Sequence, residues 1–137
     1  MQFLVQKLTL PTLALTLALA SSAAAQPVAQ TPLAQPVQTS GSVNPTRSSA
    51  CGFLADGAAQ VLQVTQEFAS VDITVSGDSG LTLQIQGSNG FSECLTTSGL
   101  SGNSVSAPGL LNQGTYNFFV GNASQTPTSY TLTIREN

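Results

Sequence analysis

Two cysteines are the most reactive side chains of this 137-residue chain. In an oxidising compartment, Cys51 and Cys94 have no other cysteine to choose and are expected to bond to each other. Closing a loop of that length stabilises a small domain by roughly 4 kcal/mol in the chain-entropy model. The alternative is a reactive thiol or a metal pair, but the chain lacks a CxxC spacing and a histidine. A structural disulfide is therefore predicted.

The other polar side chains offer little catalytic chemistry. The chain has no histidine, which excludes Ser-His and Cys-His dyads and every zinc site that contains histidine. No Gly-x-Ser-x-Gly elbow occurs, and the one lysine, Lys7, lies near the N-terminus. The carboxylates Glu67, Asp72, Asp78 and Glu93 could pair as a glycosidase acid and nucleophile, but a structural place is the stronger interpretation: Asp78 fits a turn, Asp72 an outward strand position and Glu67 the start of a loop. No catalytic residue, metal site or cofactor is predicted, and a very small hydrolase ranks third among the functions considered.

The aromatic side chains bear on binding. Carbohydrate modules stack sugars on exposed rings, yet this chain has no tryptophan, and strand alternation places Tyr116 and Tyr130 on the core face. Phe119 points to the face opposite Tyr116 and Phe118, which leaves a large apolar group outside. Such a residue is more often covered by a loop or by the linker and less often marks a contact patch, and Phe119 is the one candidate contact residue of the chain.

The N-terminus has the three parts of a signal peptide. Residues 1–7 form a basic region, residues 8–20 an apolar run and residues 23–25 an alanine-rich cleavage site before Gln26. A membrane anchor is the alternative, but the run is shorter than the ~20 residues that span a bilayer and contains Pro11. No cysteine directly follows the cleavage site, so a lipid anchor is not expected. Residues 1–25 are predicted to be removed, which leaves a secreted or periplasmic product without membrane insertion.

The charge of the mature chain excludes two classes of partner. The full chain has a net charge of −3, and losing Lys7 would leave Arg47 and Arg135 against six carboxylates. Two cations cannot neutralise a run of phosphates, so no nucleic-acid partner is expected. Anionic membrane surfaces are disfavoured for the same reason.

Residues 26–49 are predicted to be a flexible linker. Pro27, Pro32, Pro36 and Pro45 recur among Gln, Thr, Ala and Val without a helical or strand period, which is typical of extended, polyproline-like spacers. A proline-rich docking segment is the alternative, but no Pro-x-x-Pro occurs.

The rest of the chain, residues 50–137, has the pattern of one small all-β domain. Alternation at period two predicts strands at 52–55, 59–66, 70–76, 81–86, 91–96, 104–107, 115–121 and 129–135. The last two should form a closing hairpin. Seven or eight short strands at this spacing favour a small antiparallel β-sandwich, jelly-roll-like, with little helix.

The order of these segments resembles a known family. The matching residues run from Gly80-Leu81-Thr82-Leu83-Gln84-Ile85 through Gly87-Ser88-Asn89-Gly90 to Gly114-Thr115-Tyr116, Val120-Gly121 and Tyr130-Thr131-Leu132-Thr133-Ile134. A Leu-rich strand, an Asn-Gly turn, a Gly-Thr-Tyr strand and a Tyr-x-Leu strand in this order are similar to the bacterial pre-peptidase C-terminal domain. The resemblance covers roughly residues 55–137.

The resemblance implies a β-sandwich that accompanies secreted peptidases. Some members of the family bind calcium through acidic residues beside the Leu-rich strand, where this chain has Ser79, Thr82 and Gln84 with Asp78 nearby. The predicted function is therefore a secreted, non-catalytic binding or interaction module. Its partner would be an extracellular or envelope protein or polysaccharide. The alternatives are a carbohydrate-binding module and a subunit of an envelope or matrix assembly.

Overall fold

The protein is an all-β structure, seen here in a computed structural model that describes residues 28–97 and 104–137. The described residues form nine strands and no helix: β1 (Val28–Gln30), β2 (Val37–Val43), β3 (Arg47–Ser49), β4 (Gly52–Leu54), β5 (Gln60–Gly77), β6 (Leu81–Gly87), β7 (Ser92–Thr96), β8 (Ser104–Asn122) and β9 (Thr128–Glu136). Within these two ranges, no helix is long and apolar enough to cross a membrane. The predicted signal peptide, residues 1–25, lies outside the described residues.

The strands form the two layers of the predicted β-sandwich. In the first layer, β2 pairs with β9, β9 with the second half of β5, and this half of β5 with the first half of β8. In the second layer, β7 pairs with β6 and β6 with the second half of β8. The other edge of that half of β8 pairs with the first half of β5 and with β4. All pairings are antiparallel except that of β1 with β5.

Two strands are long enough to take part in both layers. Segments 59–66 and 70–76 were predicted as separate strands, as were 104–107 and 115–121, but each pair forms one strand, β5 and β8. The register between them shifts between Val64 and Phe68. Such an irregularity bends a strand without ending it, which lets the pair pass from one layer to the other. Sequence alternation alone marks this change of phase as a gap between strands.

The core lies between the layers and follows the predicted alternation. Four strands contribute a buried row each: Val71, Ile73 and Val75; Leu81, Leu83 and Ile85; Tyr116, Phe118 and Val120; and Tyr130, Leu132 and Ile134. The side chains between them on the same strands are mostly half-buried or exposed, with Thr82 and Gly121 as buried exceptions. Burial of these apolar rows is the main favourable term in the folding of so small a domain.

The prediction of a flexible linker at 26–49 is wrong for its described part, because residues 28–49 contain β1, β2 and β3. Thr31 explains how this segment is held: it is 3% exposed, and its N–H donates to the Gln63 carbonyl at 2.9 Å. Thr65 donates through its N–H to Thr31 Oγ1 at 3.1 Å and through its hydroxyl to the Thr31 carbonyl at 2.7 Å. The Leu33 N–H donates to Glu136 Oε2 at 2.5 Å. The segment thus satisfies polar groups at the irregularity of β5.

The same segment also contributes to the core. Four of its apolar side chains pack against the main cluster: Ala29, Leu33, Val37 and Val43. They are widely spaced and separated by prolines and polar residues, so the sequence shows no period from which to infer them.

The predicted closing hairpin is also wrong. The second half of β8 pairs with β6 and with the first half of β5, whereas β9 pairs with β5 and β2. The two segments therefore lie in opposite layers. Residues 123–127 carry the chain from one layer to the other. Both rows face the core as expected, but neighbouring strands along a chain need not be partners in a sheet.

Candidate functional site

The predicted disulfide joins Cys51 to Cys94, with their Cα atoms 5.6 Å apart. Cys51 lies in the turn between β3 and β4 and is 1% exposed, whereas Cys94 is an exposed residue of β7. The bond therefore fastens the turn to the edge strand of the second layer. It is a structural cross-link, and the described residues contain no free cysteine.

The hairpin of β3 and β4 partly covers the outer face of the second layer. Leu54 pairs with Gly121, which pairs on its other side with Thr82, and all three are buried. A Cβ at Gly121 would collide with the carbonyl oxygen of Phe53 and would lie 2.8 Å from a methyl group of Leu54. Glycine at this position allows the close approach of β4. Leu54 and Cys51 form a small apolar layer outside the main core cluster.

Phe119 faces outward, as its alternation with Phe118 and Val120 predicts. Its ring is half-buried because the Arg47 guanidinium lies 5.0 Å from the ring centroid. This cation–π contact covers part of the ring. The contact role predicted for Phe119 stays a prediction.

Both tyrosines lie in the core, as predicted. The Tyr116 hydroxyl donates to the Asn112 carbonyl at 2.7 Å and accepts from Asn89 Nδ2 at 3.0 Å. Burial raises the pKa of the Tyr130 phenol above its ordinary value. Neither ring forms a stacking platform for a sugar.

The carboxylates considered for catalysis are distributed over the fold. Asp78 Oδ2 accepts from the Ser129 N–H at 2.9 Å, which fits its predicted place in a turn. Asp72 lies opposite Arg135 in the pairing of β5 with β9. Glu67 and Glu93 are exposed. Within residues 28–97 and 104–137, no group of three or more Cys, Asp and Glu side chains could hold a metal ion.

An apolar cleft opens between the two layers beside the first half of β8. Its volume is about 80 Å³, and its walls are formed by the partly buried Phe91 and by five core residues: Val71, Ile73, Ile85, Ala107 and Leu111. Alternation along β8 directs Val105, Ala107 and Leu111 inward, so position 109 faces inward as well. That position is an exposed glycine, and a Cβ built there would lie in open space with no heavy atom within 4 Å. We refer to this feature as the Gly109 cleft.

One exposed apolar side chain lines the Gly109 cleft, and a second lies near it on the outer face of the first layer. Leu110 is 59% exposed at the rim, and Phe68 is 55% exposed. Phe68 lies opposite Asn112 and Ser70 lies opposite Leu110, so Phe68 and Leu110 are diagonal neighbours on one outer face. We call this pair the Phe68–Leu110 patch. Only three large apolar side chains are exposed in the described residues, and the third is Val28.

Sequence reasoning missed this site. Phe68 lay between two predicted strands, and so did Gly109 and Leu110, so no facing was assigned to any of them. The sequence does contain one signal for the site. Phe68 is an aromatic residue in a mostly polar stretch between Glu67 and Ser70, which indicates an exposed ring.

The fold thus belongs to the class of small antiparallel β-sandwiches stapled by a disulfide. No family model matches the chain, and no curated protein matches it. Among solved structures, it is similar to the pre-peptidase C-terminal domain of collagenase from Bacillus anthracis, with a TM-score of 0.50 and 14% sequence identity. The superposition covers 81% of this chain and 97% of that domain. This likeness is one of fold, and it confirms the resemblance inferred from the order of the strands.

Proposed function

We propose that this protein is an exported, non-catalytic β-sandwich module that acts by binding another macromolecule outside the cytoplasm. The observation that carries the proposal is the Phe68–Leu110 patch. Two of the three exposed large apolar side chains of the described residues are diagonal neighbours on one outer face, and one of them, Leu110, also lines an apolar cleft. Large exposed apolar groups beside a concave surface are typical of contact sites.

Two further features support the proposal. The disulfide between Cys51 and Cys94 is typical of proteins that fold in oxidising compartments. The fold is similar to a domain of a collagenase that is itself described as a pre-peptidase C-terminal domain. The absence of histidine from the sequence limits general-base chemistry.

The proposal is tested by a comparison of three immobilised proteins. The wild type, a Phe68→Ser/Leu110→Ser double variant and a Val28→Ser control are exposed to the culture medium and envelope fraction of the producing organism. Val28 is a matched control because it is 57% exposed but lies on β1, away from the patch. We expect the wild type and the control to retain the same component and the double variant to retain at least about tenfold less, as loss of two contact anchors implies. Equal retention by all three proteins would refute a role for the patch.

Export is tested separately. N-terminal sequencing of the protein recovered outside the cytoplasm should begin at Gln26, because the predicted cleavage site precedes this residue. Recovery of the protein only in the cytoplasm, or with Met1 at its N-terminus, would contradict this part of the proposal.

A further inference from the structure

Neither backbone geometry nor packing requires glycine at position 109. Gly109 has no positive φ, in contrast to five other glycines of the described residues: Gly52, Gly77, Gly80, Gly90 and Gly114. Its surroundings also leave room for a side chain, in contrast to Gly121, where a Cβ would collide with a neighbouring strand. Glycine in a strand costs stability because it adds conformational entropy to the unfolded chain and packs nothing. Glycine at position 109 therefore leaves the cleft unfilled and lowers the stability of the domain relative to a residue with a side chain.

The size of the cleft defines what could enter it. A cavity of about 150 Å³ accommodates benzene, and the Gly109 cleft has about 80 Å³. It suits a branched aliphatic side chain better than an aromatic ring. Its walls are apolar side chains of both layers, so such a group would lose contact with water on entry.

The negative charge of Glu93 beside the cleft is a second feature that selects the partner. Glu93 lines the cleft and is exposed, and its carboxylate forms no ion pair or hydrogen bond with the described residues. The described residues contain two arginines. Arg47 lies over the Phe119 ring, and Arg135 lies opposite Asp72 in the pairing of β5 with β9. A partner with a cation beside its aliphatic group would be complementary to Glu93 and to the net negative charge of the chain.

The chain itself does not close the cleft where the structure describes it. The cleft lies beside Ile85 and Phe91, next to the turn between β6 and β7. Strand β7 leaves toward the opposite end of the sandwich, where the Thr97 N–H donates to the Leu81 carbonyl at 3.3 Å. No described strand pairs with the free edge of the first half of β8. A segment of a partner therefore has access from the side.

From these observations we infer that the Gly109 cleft is a peptide-binding site. It receives an aliphatic side chain of an extended peptide, and Glu93 pairs with a lysine or arginine next to that side chain. Leu110 contacts the peptide at the rim of the cleft. This inference rests on the proposed function and specifies its partner as a protein segment with an aliphatic and a basic residue side by side.

The test uses fluorescein-labelled hexapeptides and the full mature protein. The first probe is Gly-Ser-Leu-Lys-Ser-Gly, and two matched probes carry alanine in place of leucine or glutamate in place of lysine. Fluorescence anisotropy should show saturable binding of the first probe at concentrations below about 1 mM. The alanine probe should bind at least about tenfold more weakly, since three methylene-sized groups no longer leave water. Equal affinity for all three probes, or no binding below that concentration, overturns the inference.

Variants of the protein locate the site. Gly109→Val should weaken binding of the leucine probe at least about tenfold while the melting temperature stays the same or rises, because valine fills the cleft and favours a strand. Ser106→Val is the matched control on the outer face of the same strand and should leave binding unchanged. Glu93→Gln should weaken binding about two- to fivefold, as for exposed ion pairs, whereas Asp56→Asn should not. A Gly109→Val protein that unfolds more easily, or binds the probe as well as the wild type, overturns the assignment.

The outcomes distinguish this inference from the proposed function. If the peptides fail to bind but the double variant still loses the natural partner, the module binds through its patch and the peptide assignment is wrong. If Gly109→Val instead dissociates a dimer of the wild type in sedimentation, the occupant is a second copy of the chain, which also overturns the inference. If the Phe68→Ser/Leu110→Ser variant retains the natural partner and binds the leucine probe as well as the wild type does, both proposals fail.

Discussion

Replacing either cysteine breaks the disulfide, but the two replacements should lower the stability of the domain by different amounts. Cys94→Ala and Cys51→Ala both open a loop with a sequence separation of 43 residues. In the chain-entropy model this lowers the free energy of unfolding by about 4 kcal/mol at 25 °C. Cys94 is exposed, so its loss adds little, but Cys51 is 1% exposed and its loss also leaves a small cavity. We expect Cys51→Ala to cost about 1 kcal/mol more than Cys94→Ala.

Equilibrium unfolding in urea measures both variants against the oxidised wild type. Fully reduced wild type is the control, because it loses the cross-link without any change in side-chain volume and should resemble Cys94→Ala. A loss of about 4 kcal/mol is about one quarter to four fifths of the roughly 5–15 kcal/mol that is typical of small domains. The reasoning is refuted if Cys94→Ala remains within about 1 kcal/mol of the oxidised wild type. A larger cost for Cys94→Ala than for Cys51→Ala would contradict the burial of Cys51 in the β3–β4 turn.

Four other effects can be measured with the same protein. Gly121→Ala should lower the free energy of unfolding by at least about 2 kcal/mol in urea unfolding, since a Cβ there collides with β4; a cost equal to that of Gly109→Ala would contradict this. Glu136→Ala removes the acceptor for the Leu33 N–H, so limited proteolysis should cut between β1 and β2 faster than in the wild type, and an unchanged cleavage rate would count against that contact. Tyr130→Ala should cost about 3–5 kcal/mol and Phe119→Ser less than about 1 kcal/mol in thermal unfolding, because only the first residue is buried in the core; similar costs would mean that Phe119 belongs to the core. Burial raises the pKa of the Tyr130 phenol above 10.0, so its contribution to stability is complete below pH 10 and is lost as the pH rises through the raised pKa, which ultraviolet titration of the phenolate follows.

The sequence predicts the facing of strands more reliably than their partners. The rows around Ile73, Leu83 and Leu132 alternate strictly, and each row is buried as expected. Alternation reports only whether a side chain meets the core, and it does so for one strand at a time. The pairing of β9 with β5 and β2 depends on contacts between distant segments, which a local period does not contain.

The errors at the N-terminal segment and at the site have a common physical origin. Thr31 is buried because it completes hydrogen bonds at the irregularity of β5, and a single polar anchor produces no period. Phe68 lies at the register shift of β5, where the alternation changes phase, and Gly109 has no side chain to contribute to an alternating pattern. The outward facing of Phe119 was predictable, but its cover by Arg47 was not, because the two residues belong to different strands.

The position of β2 in the sheet has a consequence for the order in which the protein can fold. In the described residues, β2 pairs with β9 alone, so an early segment of the chain completes its hydrogen bonds only with a very late one. Contacts of such large sequence separation slow folding, because a long loop must close before they form. A nascent chain that has not yet made β9 therefore cannot place β2. Late placement of β2 is compatible with the proposed export, because an unfolded chain can pass through a narrow pore before the cross-link between β7 and the β3–β4 turn forms.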